Sequence, residues 1–150
     1  MRTFRITNRD LVFDFFRANL QMSHTADFRG CLFVPIEYDG SARMMEHVAI
    51  AVGYNNFNGR LCSMHAIIQK PEFVTPGVVR EVFEFPFKFC NVEYVLAPVE
   101  AGNIEALEFD KRLGFKEIYR FKEGATVGDL VMLAMSKEEC RWLGKRNANG

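Results

Sequence analysis

The chain has 150 residues, 49% of them apolar and 25% charged, with lysine plus arginine balanced against aspartate plus glutamate at 19 each. That mixture suits one globular domain with a real core. It excludes the low-hydrophobicity, high-charge balance of a disordered chain and supplies no global field for nucleic acid or an anionic membrane.

In chain order, Thr3 to Ile6 alternates like a short strand, and Asn8 is placed to cap a helix carrying Leu11, Val12, Phe15, Phe16 and Leu20 on one face. His24 to Gly30 reads as a short second helix or loop. Cys31 to Tyr38 reads as a strand that Pro35 demotes toward an edge or bulge, with a turn at Asp39-Gly40. Met45 to Tyr54 and Leu61 to Gln69 read as two strands of an antiparallel hairpin, joined by the Asn- and Gly-rich run Asn55 to Gly59.

Thr75-Pro76-Gly77 supplies a cap and a proline for the first turn of a helix bearing Val78, Val79, Val82, Phe83 and Phe87, which Pro86 should not let run straight beyond Phe85. Val92 to Val99 reads as a strand, Ile104 to Leu113 as a helix stopped by Gly114, and Phe115 to Phe121 and Asp129 to Met135 as two more strands. Glu138 to Leu143 is a last helical turn, and residues 145–150 a polar tail. The expected organisation is one α/β domain over residues 1–144, a mixed central sheet of six to seven strands with helices on both faces.

The scattered cysteines Cys31, Cys62, Cys90 and Cys140 form no C-x-x-C pair and have no histidine at ligand spacing, so neither a metal site nor a disulfide framework is expected. No apolar run approaches the ~20 residues a bilayer requires, and the first residues lack a signal peptide's apolar region. A cytoplasmic protein is expected.

The segment Asn103 to Phe115, N-I-E-A-L-E-F-D-K-R-L-G-F, resembles the acyl-CoA-side helix of the GNAT superfamily of N-acyltransferases, commonly N-x-x-A-x-x-F-Y-x-K-x-G-F. Asn103, Ala106, Phe109, Leu113, Gly114 and Phe115 match, and the element order agrees along the whole chain. Residues Thr75 to Phe87 also resemble the corresponding helix of bacteriophage GNAT-like proteins. A bland reading covers much of the same helix: Asn103 is a good cap, Ala106 and Phe109 a packing face, and Gly114 a stop.

The resemblance implies an acetyl-CoA-dependent N-acetyltransferase acting on an amine of a small molecule or protein, with a catalytically silent GNAT-fold binding protein as the alternative. It implies that the backbone of Ile67, Ile68 and Gln69 pairs with the pantetheine arm. The pyrophosphate would sit at the following helix start, on Thr75 and the amides of Gly77, Val78 and Val79, with Asn103 and Phe109 on the cofactor-side helix. Lys70 and Arg80 are candidate neutralising charges, whereas Glu72 stands where the family's loop has a glutamine or arginine.

Acyl transfer needs a base for the amine proton, and His65 is the first candidate, with Glu46 the second, both read as strand residues. Ser63 shares the strand face of His65, where a cross-strand hydrogen bond is an equal reading. Where the family places a tyrosine acid, this sequence has Asp110, which if exposed would be ionised and unable to donate. The acceptor groove is expected from Leu11 to Gly30 and Phe121 to Gly128. No membrane or nucleic-acid partner is expected, and the resemblance leaves room for a homodimer.

Overall fold

The structure is a computed structural model that describes residues 2–20, 22, 25–41 and 43–144. The expected polar tail and part of the 24–30 segment lie outside the described residues. Seven strands hydrogen-bond in the order β1-β2-β3-β4-β5-β7-β6. They are β1 (Thr3–Ile6), β2 (Arg29–Pro35), β3 (Ile50–Asn55), β4 (Leu61–Ile68), β5 (Tyr94–Glu100), β6 (Lys116–Phe121) and β7 (Leu130–Ser136). The helices are α1 (Arg9–Asn19), α2 (Met44–His47), α3 (Pro76–Glu84) and α4 (Ile104–Leu113). The sheet is mixed: β1–β2, β2–β3, β5–β7 and β6–β7 are antiparallel, and β4–β5 is parallel.

The chain divides into two compact units, Met1–Asn56 with His65–Val79, and Phe57–Met64 with Arg80–Gly150. In the first unit, Asn8 caps α1 as expected, its Oδ1 accepting from the Leu11 amide at 3.1 Å. Val12, Phe15 and Phe16 of α1 pack with Phe28, Leu32, Val34, Val48 and Ala51 into an apolar core. Leu11 and Leu20, expected on that face, are exposed. Gly30 is required by contact, because a Cβ there would lie 2.6 Å from the Val52 carbonyl oxygen and 2.7 Å from Val12 Cγ1.

Three expectations change in this unit. β2 starts at Arg29 and ends at Pro35, and it is internal rather than an edge; the proline is tolerated at the last rung, opposite Thr3. The run Met45 to Tyr54 is not one strand. Arg43 adopts a left-handed conformation (φ 73°) and opens the short helix α2, so β3 begins only at Ile50. Glu46 and His47 therefore lie on a helix, not on the strand beside His65.

In the second unit, β5 and β7 pair over seven residues from Tyr94↔Ser136 to Glu100↔Leu130. Phe83 stacks with Phe87 at 6.3 Å and meets Phe115 at 5.9 Å, so the end of α3 anchors on the residue that enters β6. Beyond Glu84 the helix widens into a π turn, Phe85–Phe89. Pro86 has no N–H for an α-helical bond, and the wider turn closes through Cys90 N–H donating to the Phe85 carbonyl at 3.0 Å. The expected last helical turn is a 3-10 turn, Arg141–Leu143. From it Trp142 Nε1 donates to the Leu113 carbonyl at 2.7 Å and Arg141 to that of Arg112, satisfying two orphan carbonyls of α4.

Among the described residues no helix is long and apolar enough to cross a membrane, and no group of His, Cys, Asp or Glu could hold a metal ion.

Candidate functional site

His65 sits on β4, half-buried, with Nε2 3.0 Å from Asn55 Oδ1 at the end of β3. Asn55 is 5% exposed, and this bond gives its buried amide oxygen a partner. With that oxygen facing Nε2, the neutral ring carries its proton on Nε2 and its lone pair on Nδ1. Burial penalises the imidazolium and holds the His65 pKa below its ordinary value, so the lone pair is present at neutral pH. This is the electronic state of a general base. Locally Asn55 has only the chemistry of a turn residue, because nothing near it in the sequence links it to a histidine ten positions on.

Glu46, the second candidate, is an exposed residue of α2 with its carboxylate 3.7 Å from Arg43. An ion pair that open to water orients little. Among the described residues no hydrogen bond joins Glu46 to His65.

The proposed cofactor strand is also partly committed. Gln69 N–H donates to the Ala49 carbonyl at 2.8 Å, and its side-chain amide donates to Val48 at 2.6 Å and Met45 at 3.3 Å. Gln69 thus staples the end of β4 to the segment before β3 instead of presenting an open edge. Ile67 packs against the core of the first unit. The parallel pairing of β4 with β5 covers Leu61, Cys62 and Ser63 against Tyr94, Val95 and Leu96.

At the start of α3, Thr75 caps as expected, its Oγ1 accepting from Val78 N–H at 3.3 Å. The same turn consumes donors. Thr75 N–H bonds Phe73 O at 2.9 Å, and Val79 N–H bonds Thr75 O at 3.0 Å. Of the expected anion donors, the amides of Thr75, Val78 and Val79 are therefore occupied, which leaves the Gly77 N–H and the Thr75 hydroxyl hydrogen. A Cβ on Gly77 would meet nothing nearer than Thr75 Oγ1 at 4.0 Å, so the fold does not require glycine there.

Beside this turn lies an open cleft of about 340 Å³, lined by Pro35, Glu37, Tyr38, Asp39, His47, Lys70, Glu72 and Phe73. The rings of Tyr38 and His47 are 5.0 Å apart. Three carboxylates face one lysine and one histidine, a balance that suits a cation better than a phosphate. Glu72 belongs to this acidic wall.

On α4, Asn103 is an N-cap whose Oδ1 accepts from Ala106 N–H at 3.2 Å. Phe109 is half-buried, and Leu107, outside the matched motif, is the residue α4 buries most. Asp110 is half-buried rather than exposed, and desolvation pushes its pKa up to about 6. About a tenth of it is protonated at pH 7, so donation is not closed to it.

No protein-family model matches this sequence, and no curated protein matches it. Solved structures do match in fold. A point mutant of the spermidine N-acetyltransferase SpeG from Vibrio cholerae aligns with TM-score 0.72 at 12% identity, covering 94% of this chain and 98% of that one. Mutant forms of the spermidine/spermine N-acetyltransferase SpeG from the same organism align at 0.72 and 11%, covering 91% and 96%. The Campylobacter jejuni N-acetyltransferase PseH, in complex with acetyl coenzyme A, aligns at 0.56 and 15%, covering 83% and 77%. The mixed seven-stranded sheet with its helices is thus a GNAT-type fold.

Proposed function

We propose that this chain is an acetyl-CoA-dependent N-acetyltransferase that moves an acetyl group to an amine of a small molecule or protein in the cytoplasm. The observation that carries the reading is the end-to-end agreement of its fold with acetyltransferases at nearly full coverage of both chains. In this reading residues 1–144 form one acyltransferase domain, similar to the GNAT-like proteins of bacteriophages.

His65 Nδ1 takes the proton of the acceptor amine, and Asn55 fixes the tautomer. Glu46 is the weaker candidate, since its ion pair on α2 faces water. The acidic cleft favours a cationic amine over an anionic acceptor.

Acetyl-CoA supplies the activated thioester. Its pyrophosphate is held by the Gly77 N–H and the Thr75 hydroxyl, with Lys70 supplying charge and the helical turn of Val78 and Val79 holding these donors in place. The open space over Gly77 suits a close approach to the backbone. Ile67, Ile68 and Gln69 are the residues proposed for the pantetheine arm, with the Gln69 N–H already given to the Ala49 carbonyl. On α4, Asn103 and Phe109 are the proposed cofactor-side residues. A CoA thiolate is a fair leaving group, and Asp110 in its protonated form replaces the tyrosine acid in this reading.

The amides occupied at the start of α3 favour a second reading, a catalytically silent GNAT-fold binding protein. Calorimetric titration with acetyl-CoA, followed by thiol release over an amine panel that includes a polyamine, separates the two. Absence of binding at millimolar acetyl-CoA sinks the first reading, and binding without turnover on any amine selects the second.

A further inference from the structure

The turn that leads into β4 puts an asparagine side chain in a polarising setting. Asn58 Oδ1 accepts from two backbone amides at once, Arg60 N–H at 2.9 Å and Leu61 N–H at 2.9 Å. The Asn58 N–H donates to the Leu61 carbonyl at 3.2 Å, and the Arg60 carbonyl accepts from the Glu93 and Tyr94 amides, so the turn is held in place. Two donors converging on a carbonyl oxygen make its carbon more electrophilic and stabilise negative charge that develops on the oxygen, as an oxyanion hole does.

The nucleophile is the next backbone nitrogen. Among the described residues no acceptor holds the Gly59 N–H. Gly59 sits at φ 86°, and a Cβ there would meet nothing within 4 Å, so neither its own side chain nor a neighbour covers that amide. Asn58, Gly59 and Arg60 are all exposed to water. The other described asparagines lack this combination. The amides after Asn19 and Asn91 are committed, Leu20 N–H to the Phe16 carbonyl at 2.7 Å and Val92 N–H to that of Pro86 at 3.1 Å. Asn8, Asn55, Asn56 and Asn103 are each followed by a residue whose side chain crowds the attacking nitrogen.

We propose that Asn58-Gly59 is a site of covalent self-modification, a turn that promotes its own deamidation. The Gly59 nitrogen gives its proton to hydroxide and bonds to Asn58 Cγ, which places the negative charge on Oδ1 under the Arg60 and Leu61 amides. The Cγ–Nδ2 bond then breaks, Nδ2 leaves as ammonia with a proton taken from water, and a succinimide ring remains. Water opens the ring at either carbonyl, giving aspartate or isoaspartate, so one water is consumed for each ammonia released. The chain, formally neutral at pH 7, gains one negative charge, and the isoaspartate product adds a methylene to the main chain of the turn. This stands apart from the acetyl-transfer reading, and its test reads mass rather than activity.

The purified full chain is incubated at mildly alkaline pH in heavy-oxygen water, both folded and unfolded in urea, and then mapped by tryptic digestion in ordinary water with fragment masses. Cleavage after Arg60 and Arg146 puts the second Asn-Gly pair of the sequence, Asn149-Gly150, on a different peptide. The folded chain is expected to convert Asn58 before any other described asparagine, with heavy oxygen in both products. Conversion is expected to be about tenfold or more faster than in urea, because only the fold supplies the two donors. Gly59→Ala, verified as folded by circular dichroism, is expected to convert about tenfold or more slowly than wild type, since a methyl group now crowds the attack. The comparison of folded with unfolded wild type decides the question without any variant. An Asn58 that stays intact while other described asparagines convert, one that converts no faster folded than in urea, or a folded Gly59→Ala chain that keeps the wild-type rate would each overturn the proposal.

Discussion

His65 gathers the chemistry of the first unit into one ring, and its partner decides which nitrogen reacts. If Nδ1 takes the amine proton, His65→Gln should lower kcat by about 100-fold or more while leaving acetyl-CoA affinity unchanged, because glutamine can still donate to Asn55. Stopped-assay rates and calorimetry on the same preparation check both halves. The folded pKa of His65 lies below its unfolded value, so the unfolded chain binds the proton more readily. Its contribution to stability is present above about pH 6.5 and is lost progressively as pH falls from there through the lower folded value, a slope the glutamine variant should not have.

Asp110 works with the opposite sign. Its folded value of about 6 stands above the ordinary 3.8, so the folded chain holds the proton more tightly. Its contribution is greatest below the unfolded value and is lost as pH rises toward 6 and beyond. Asp110→Asn should therefore raise the melting temperature at pH 7 and change it little at pH 4, which thermal melts at the two pH values measure. At Gly77 the expected separation is between stability and binding. Gly77→Ala should leave stability equal or higher by up to about 1 kcal/mol, since the site is open, while weakening acetyl-CoA by about tenfold if the ligand approaches that backbone.

Elements were legible where a single residue supplied the reason for a boundary. Asn8, Thr75 and Asn103 were all expected as caps, and each accepts an amide one turn on. Gly114 was expected as a stop, and it sits at φ 117° with Phe115 N–H closing on Asp110 O at 3.0 Å. A Cβ there would also lie 3.3 Å from Arg141 Nη1. Gly114→Ala should cost about 1–2 kcal/mol in urea unfolding. The run from Met45 to Tyr54 misled for the converse reason. Its β-forming composition is real, but Gln69 binds the carbonyls of Met45 and Val48 from far along the chain, and no local signal carries that contact.

For the whole molecule, β4 and α3 each contribute residues to both compact units, β4 dividing after Met64 and α3 after Val79. Separate melting would require breaking a strand and a helix in mid-length. Under the one-domain proposal, urea unfolding followed by Trp142 fluorescence, which reports the second unit, should coincide with that followed by far-UV circular dichroism. Two distinct midpoints would divide the domain.

The sequence by itself determined the order of the seven strands and of α1, α3 and α4, the caps of those helices, the Gly114 stop and the mixed-sheet class, because these follow from short-range chemistry: hydrogen bonds one turn long and the period of apolar side chains. Only the tertiary structure decided the protonation state of His65, the burial of Asp110, and which amides of α3 remain open. Each of those depends on what a group meets after the chain has folded back on itself, and desolvation and distant hydrogen-bond partners have no signature in neighbouring residues.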